Sequence, residues 1–128
     1  MLKQKTISTN LSFKGVGLHT GKEVDLVIEP AEPNYGIQFS RVDLDSHPII
    51  PASVEYVTDT KRSTTIEKNG VKVVTVEHLL SALYALGIDN ALIKINSEEL
   101  PILDGSAAPY VEALKQIDFI EQSASKSY

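Results

Sequence analysis

A glutamate and a histidine stand side by side at Glu77 and His78, at the start of the otherwise uncharged run Leu79 to Gly87. A neutral imidazole is a metal ligand, and a carboxylate beside it can take a proton from metal-bound water. The partial positive charge of a helix N-terminus also favours an anion at such a place. The plain alternative is an acidic first-turn residue followed by a surface histidine. Glu-His is not the His-Glu-x-x-His spacing of a zinc protease helix, and His19, His47 and His78 are the only histidines in the chain. They form no multi-ligand pattern on their own.

Two other strings have the residue types of a site. Gly15-Val16-Gly17-Leu18-His19-Thr20-Gly21-Lys22 packs three glycines into seven residues, which implies a tight backbone. It is not a dinucleotide loop, because Thr20 stands where the third glycine belongs, and no Gly-Lys-Ser/Thr of a P-loop follows. A hairpin turn is the simpler reading, and a histidine on that turn can still face a cleft. Pro101-Ile102-Leu103-Asp104-Gly105-Ser106 reads as a strand end, a turn and a helix cap. Asp104 would there either close the turn or orient a catalytic group by a hydrogen bond from behind. Lys61 to Thr65 reads as a polar turn entering a strand, and His47, before Pro48, as a loop residue.

The elements that must position these residues are short. Glu23–Glu29 alternates polar and apolar residues as a half-buried strand does and stops at Pro30. Residues 33–36 read as a turn, with Ile37–Val42 as the returning strand. Ala52–Val57 is a further candidate. Asn69-Gly70 suits a type I′ turn and pairs Thr64–Glu67 with Val71–Thr75. Asn90–Asn96 is a clear β run. A helix is expected over about Val76–Leu86, with Thr75 as N-cap and Gly87 after its end. Val76, Leu79, Leu80 and Leu83 share one face, so at about 100° per residue His78 points the other way, beside Ser81, Ala82 and Ala85. A second helix is expected over about Ala107–Ile117, capped by Ser106, with Val111, Leu114 and Ile117 inward. Strands first and helices later predict one α+β domain: a mainly antiparallel sheet with two helices on one face.

At 128 residues with net charge −5, the chain is one domain by size and lacks the clustered Lys and Arg of a nucleic-acid surface. It has no Cys, so neither disulfides nor thiolate ligands occur. No secretory leader is evident at the N-terminus, and no apolar run approaches the roughly 20 residues of a membrane span. A cytoplasmic protein is expected. The polar tail from Gln122 reads as the start of an inter-domain linker, so the domain is expected over residues 1–121 and the linker over 122–128.

Taken together, the glycine-rich string 15–22, Thr75-Val76-Glu77-His78-Leu79, Gly87-Ile88-Asp89-Asn90 and the string 101–109 resemble, in order and spacing, the UDP-3-O-acyl-N-acetylglucosamine deacetylases, the zinc amidases of lipid A synthesis. The resemblance runs over essentially the whole chain. It implies the first of two tandem α+β domains with the active site between them. It implies His78 as a zinc ligand and Glu77 as general base. It further implies Leu18 and His19 near the substrate, Ser63 near the acyl-chain passage, and Asp104 as an acidic residue behind the catalytic groups. The remaining zinc ligands of that family come from a His-x-x-x-Asp pair, which is absent here. The implied reaction is metal-assisted hydrolysis of the acetamide to acetate and a free amine. The expectation is therefore half of an active site, inactive and weak in zinc binding when alone, completed by a C-terminal domain. Self-association through the open His78 face is a second expectation. The competing reading is a non-catalytic binding module of the same fold that pairs with another chain through that face.

Overall fold

The computed structural model describes residues 2–61 and 63–126. In chain order the strands are β1 (Lys3–Ile7), β2 (Leu11–Val16), β3 (Glu23–Pro30), β4 (Ile37–Arg41), β5 (Ile49–Pro51), β6 (Val57–Asp59), β7 (Thr65–Lys68), β8 (Val71–Val74), β9 (Ala91–Ile95) and β10 (Phe119–Ser125). Helix α1 (Glu77–Ala85) lies between β8 and β9, and α2 (Ala108–Leu114) between β9 and β10. This is the expected α+β class, with mainly antiparallel pairing. The strands divide into three ladders, however, where one sheet was expected: β2-β3-β9-β4-β5, β6-β7-β8 and β1-β10.

The five-stranded sheet carries the core. Val24, Leu26 and Ile28 of β3 are buried at alternate positions, as are Ala91, Ile93 and Ile95 of β9. The register sets Leu26 opposite Ile95, Ile28 opposite Ile93, and Ile93 beside Phe39 of β4. That ridge joins Leu79, Ala82 and Leu83 of α1 and Tyr110 and Leu114 of α2 in one cluster. Burying an apolar side chain of this size stabilises the fold by about 1.5–3 kcal/mol. No helix among the described residues is long and apolar enough to cross a membrane.

Several expectations shift. β4 does not return against β3. β9 inserts between them and runs parallel to β4. Residues 54–56 form a 3-10 turn where a strand was expected, and none of them is buried, so no alternating face selects a strand there. The hairpin at Asn69-Gly70 is present, with φ of 52° and 79° as a type I′ turn requires. Gly87 ends α1 as expected: its N–H donates to Tyr84 O (3.1 Å) and that of Ile88 to Leu83 O (3.0 Å), a Schellman closure. Ala82 is buried in the core and so is not part of an open face with Ser81 and Ala85. Helix α2 is shorter than expected, although Ser106 Oγ does accept from Ala108 N–H (3.2 Å).

The polar tail enters the fold. β10 pairs antiparallel with β1, so the ladder takes in residues 122–125, where the linker was expected to start. Its hold is polar. Gln122 accepts from Asn90 Nδ2 (2.7 Å) and donates to Ala31 O (2.8 Å), while Lys126 Nζ reaches Asp89 (2.8 Å) and Gly87 O (3.1 Å). Residues 127 and 128 lie outside the described residues.

Candidate active site

The glycine-rich string is the hairpin connection between β2 and β3. Gly17 N–H donates to Lys22 O and Gly21 N–H to Gly17 O, which closes the turn. Leu18 is 62% exposed at its tip, and the His19 side chain is 43% exposed. Beneath it lies Glu99, which is buried. Glu99 Oε1 accepts the N–H groups of His19 and Thr20, both at 2.9 Å. Glu99 Oε2 meets His19 Nδ1 and accepts the Thr75 hydroxyl at 3.0 Å. A Cβ on Gly17 would fall 2.6 Å from Glu99 Oε1, so only glycine lets the carboxylate come this close. Burial pushes the Glu99 carboxyl up, but the Thr20 N–H, the His19 ring, the His19 N–H and the Thr75 hydroxyl outweigh it and hold the group below the usual glutamate range.

Thr75 is the link to the helix. Its φ is +66°, a rare conformation for a β-branched residue. It was expected to cap α1. Its hydroxyl instead goes to Glu99, Val76 occupies the N-cap position, and no side chain caps that helix. The end of α1 is held by Thr64, whose carbonyl accepts the N–H groups of Thr75 (2.9 Å) and Val76 (3.2 Å). The N–H of Thr64 donates to Glu77 Oε1 (3.1 Å). Glu77 and His78 are both half-buried, and Ser81 and Ala85 beyond His78 are exposed. Among the described residues Glu77 Oε2 makes no hydrogen bond.

The geometry therefore gathers the Glu77–His78 pair, the loop of Ser63 and Thr64, and the His19 turn around the start of α1. Asp104 is set apart. It is exposed, and its carboxylate accepts the N–H (2.9 Å) and hydroxyl (2.7 Å) of Ser106. It closes its own turn, which in turn packs on β2 through Ile102 N–H to Val16 O (2.8 Å). None of its hydrogen bonds reaches Glu77 or His78. His47 is exposed on a loop between β4 and β5. No group of three or more His, Cys, Asp or Glu is arranged to hold a metal among the described residues.

Sequence reasoning missed Glu99 altogether and the roles that Thr75 and Thr64 play beside it. The signal for Glu99 was present: Ala91, Ile93, Ile95, Ser97 and Glu99 are all buried, so the two-residue alternation of β9 runs past its end and carries a carboxylate inward. Thr64 acts through its backbone, which side-chain chemistry does not announce.

The sequence model of the UDP-3-O-acyl N-acetylglycosamine deacetylases matches residues 4–128. The chain belongs to this deacetylase family. It is 52% identical over its whole length to the UDP-3-O-acyl-N-acetylglucosamine deacetylase of Legionella pneumophila, covering 42% of that protein. It is 48% identical to that of Coxiella burnetii, again covering 42%. With the bifunctional enzyme LpxC/FabZ of Bacteroides thetaiotaomicron it shares 51% identity, over 28% of that protein. The chain thus spans well under half the length of these family members and aligns with them along all or nearly all of its own.

Proposed function

We propose that this chain is the N-terminal part of a cytoplasmic, zinc-dependent deacetylase that removes acetate from UDP-3-O-acyl-N-acetylglucosamine in lipid A biosynthesis. The observation that carries the reading is the Glu77–His78 pair at the start of α1, with the glutamate held by the Thr64 N–H and one carboxylate oxygen left without a partner among the described residues. The described residues do not fit a catalytic zinc by themselves, since such a site takes about three protein ligands and His78 offers one imidazole. The other ligands then belong to a C-terminal domain beyond this chain, seated against the exposed Ser81 and Ala85.

Within that reading Glu77 is the general base. Its free oxygen takes a proton from water as the water oxygen bonds to the acetamide carbonyl carbon. The amine nitrogen then gains the proton that Glu77 took up as the C–N bond breaks, which returns Glu77 to its carboxylate, and acetate and the 2-amino sugar nucleotide leave. Thr64 fixes the carboxylate so that this oxygen alone is offered. Leu18 and His19 meet the substrate at the turn, Ser63 lies towards the acyl chain, and Asp104 keeps the turn behind β2 in shape.

Acetate release by the full-length protein containing this chain tests the proposal. Glu77→Ala and His78→Ala are each expected to lower kcat by about 100-fold or more. The 128-residue chain alone is expected to release no acetate and to bind zinc weakly by calorimetry. Turnover by the isolated chain, tight one-to-one zinc binding to it, or indifference of the full-length protein to Glu77→Ala would each refute it.

A further inference from the structure

We infer that Glu99 is a positioning residue that fixes the His19 imidazole as its Nδ1–H tautomer and joins it to the start of α1, so that Nε2 is presented outward as a hydrogen-bond acceptor for an O–H or N–H group of the ligand. The role of His19 towards a ligand rests on the deacetylase reading, whereas the tautomer rests on this chain alone.

The geometry leaves little freedom. Glu99 is buried, and its two oxygens take four donors: two consecutive backbone N–H groups, one hydroxyl and one ring nitrogen. An ionised carboxylate only accepts, so the ring nitrogen facing it must carry a proton. That nitrogen is Nδ1. In the neutral ring Nε2 is then the lone-pair nitrogen, on a side chain left partly open to solvent. Free histidine prefers the opposite arrangement, so the protein selects this one.

Glu99 is itself immobilised. Val74 N–H donates to Glu98 O (2.8 Å) and Leu100 N–H to Val74 O (3.1 Å), which straps the residue to the end of β8 from both sides. Through Oε2 the same carboxylate holds Thr75, two residues before Glu77. One buried group therefore sets both the ring that meets the ligand and the backbone turn from which Glu77 and His78 project. The lack of a side chain at Gly17 makes room for this carboxylate beneath the His19 ring.

Long-range proton–nitrogen correlation spectra of the 128-residue chain, at a pH where the rings are neutral, read the tautomer directly; His19→Gln assigns the signal. The expected result is a protonated Nδ1 and a bare Nε2 at His19. Glu99→Gln keeps the size of the side chain but can turn an NH₂ towards Nδ1, and it should move His19 to the Nε2–H form. An Nε2–H ring in the unaltered chain overturns the inference, and this measurement needs no variant to fold. A folded Glu99→Gln chain with an unchanged tautomer overturns it too. In the full-length deacetylase, Glu99→Gln should lower kcat/KM about tenfold, within the usual range for a group that orients another. Unaltered kcat/KM with an inverted tautomer would overturn the functional half. A full-length protein without any deacetylase activity would instead refute the proposed function, and the spectra would still decide the tautomer.

Discussion

Thr75 offers a test in which two effects of similar size oppose each other. Its hydroxyl donates to a buried carboxylate, a bond of the charged class that contributes about 1.5–3 kcal/mol. Its backbone sits at φ +66°, which costs an L-residue with a Cβ about 1–2 kcal/mol. Thr75→Ala removes the hydroxyl and keeps the strain, so a loss of about 2–3 kcal/mol is expected once the buried methyl group is included. Thr75→Gly removes the same hydroxyl but relieves the strain. Against that relief stands the greater freedom of glycine in the unfolded chain, about 0.4–1 kcal/mol. The glycine variant should therefore be the more stable of the two by roughly 0.5–1 kcal/mol. Thr75→Ser keeps the hydroxyl and should stay within about 1 kcal/mol of the parent, the contribution of one methyl group. Urea unfolding followed by circular dichroism resolves these differences when the m-values agree. A glycine variant less stable than the alanine variant would show that no strain is held at residue 75. An alanine variant indistinguishable from the parent would show that the bond to Glu99 contributes nothing.

Other consequences can be measured on the same chain. The Tyr110 hydroxyl is buried without a hydrogen-bond partner among the described residues, and burial raises its pKa well above the usual tyrosine range. Tyr110→Phe keeps the edge contact with Phe13 and removes the orphaned group, so stability should rise by about 1 kcal/mol; a loss would mean that the hydroxyl is satisfied in solution. Glu99 has a folded pKa below its ordinary value of 4.5, so its contribution is complete above that value and fades as pH falls through the lower, folded one. The stability gap between the parent and Glu99→Gln should therefore shrink on acidification below about pH 4.5, and a gap that stays constant to about pH 3 would refute the ionised carboxylate. Asp43, held low chiefly by the hydrogen bond from Arg41, adds acid sensitivity to both proteins and cancels in the difference.

Much of this architecture was legible because it follows from apolar period and turn chemistry. β3 and β9 alternate cleanly, Asn69-Gly70 demands its hairpin, and the stripe on α1 with Gly87 behind it fixes a helix and its end. β1 and β10 were not legible. Their pairing is locked by the amides of Gln4, Asn34, Asn90 and Gln122 and by Lys126 on Asp89, and polar side chains of that kind look the same in a solvated tail as in a buried network. The parallel insertion of β9 beside β4 is a long-range choice that no local window encodes.

The candidate site divides in the same way. Glu77 and His78 stand out because their chemistry is unusual on an uncharged helix. The Thr64 peptide that holds Glu77 and the Thr75 hydroxyl that ties the preceding turn to Glu99 are of common type and become meaningful only in three dimensions. Glu99 lies between these cases. Its charge suggested solvent, while its place in the alternation suggested the core, and the core wins because four donors are waiting there. A carboxylate is buried at a cost of several kcal/mol unless it is fully hydrogen-bonded. An acidic residue in phase with a buried strand therefore requires donors to meet it. In this chain they are supplied by a glycine-bearing turn and by a threonine whose own backbone is strained to reach it.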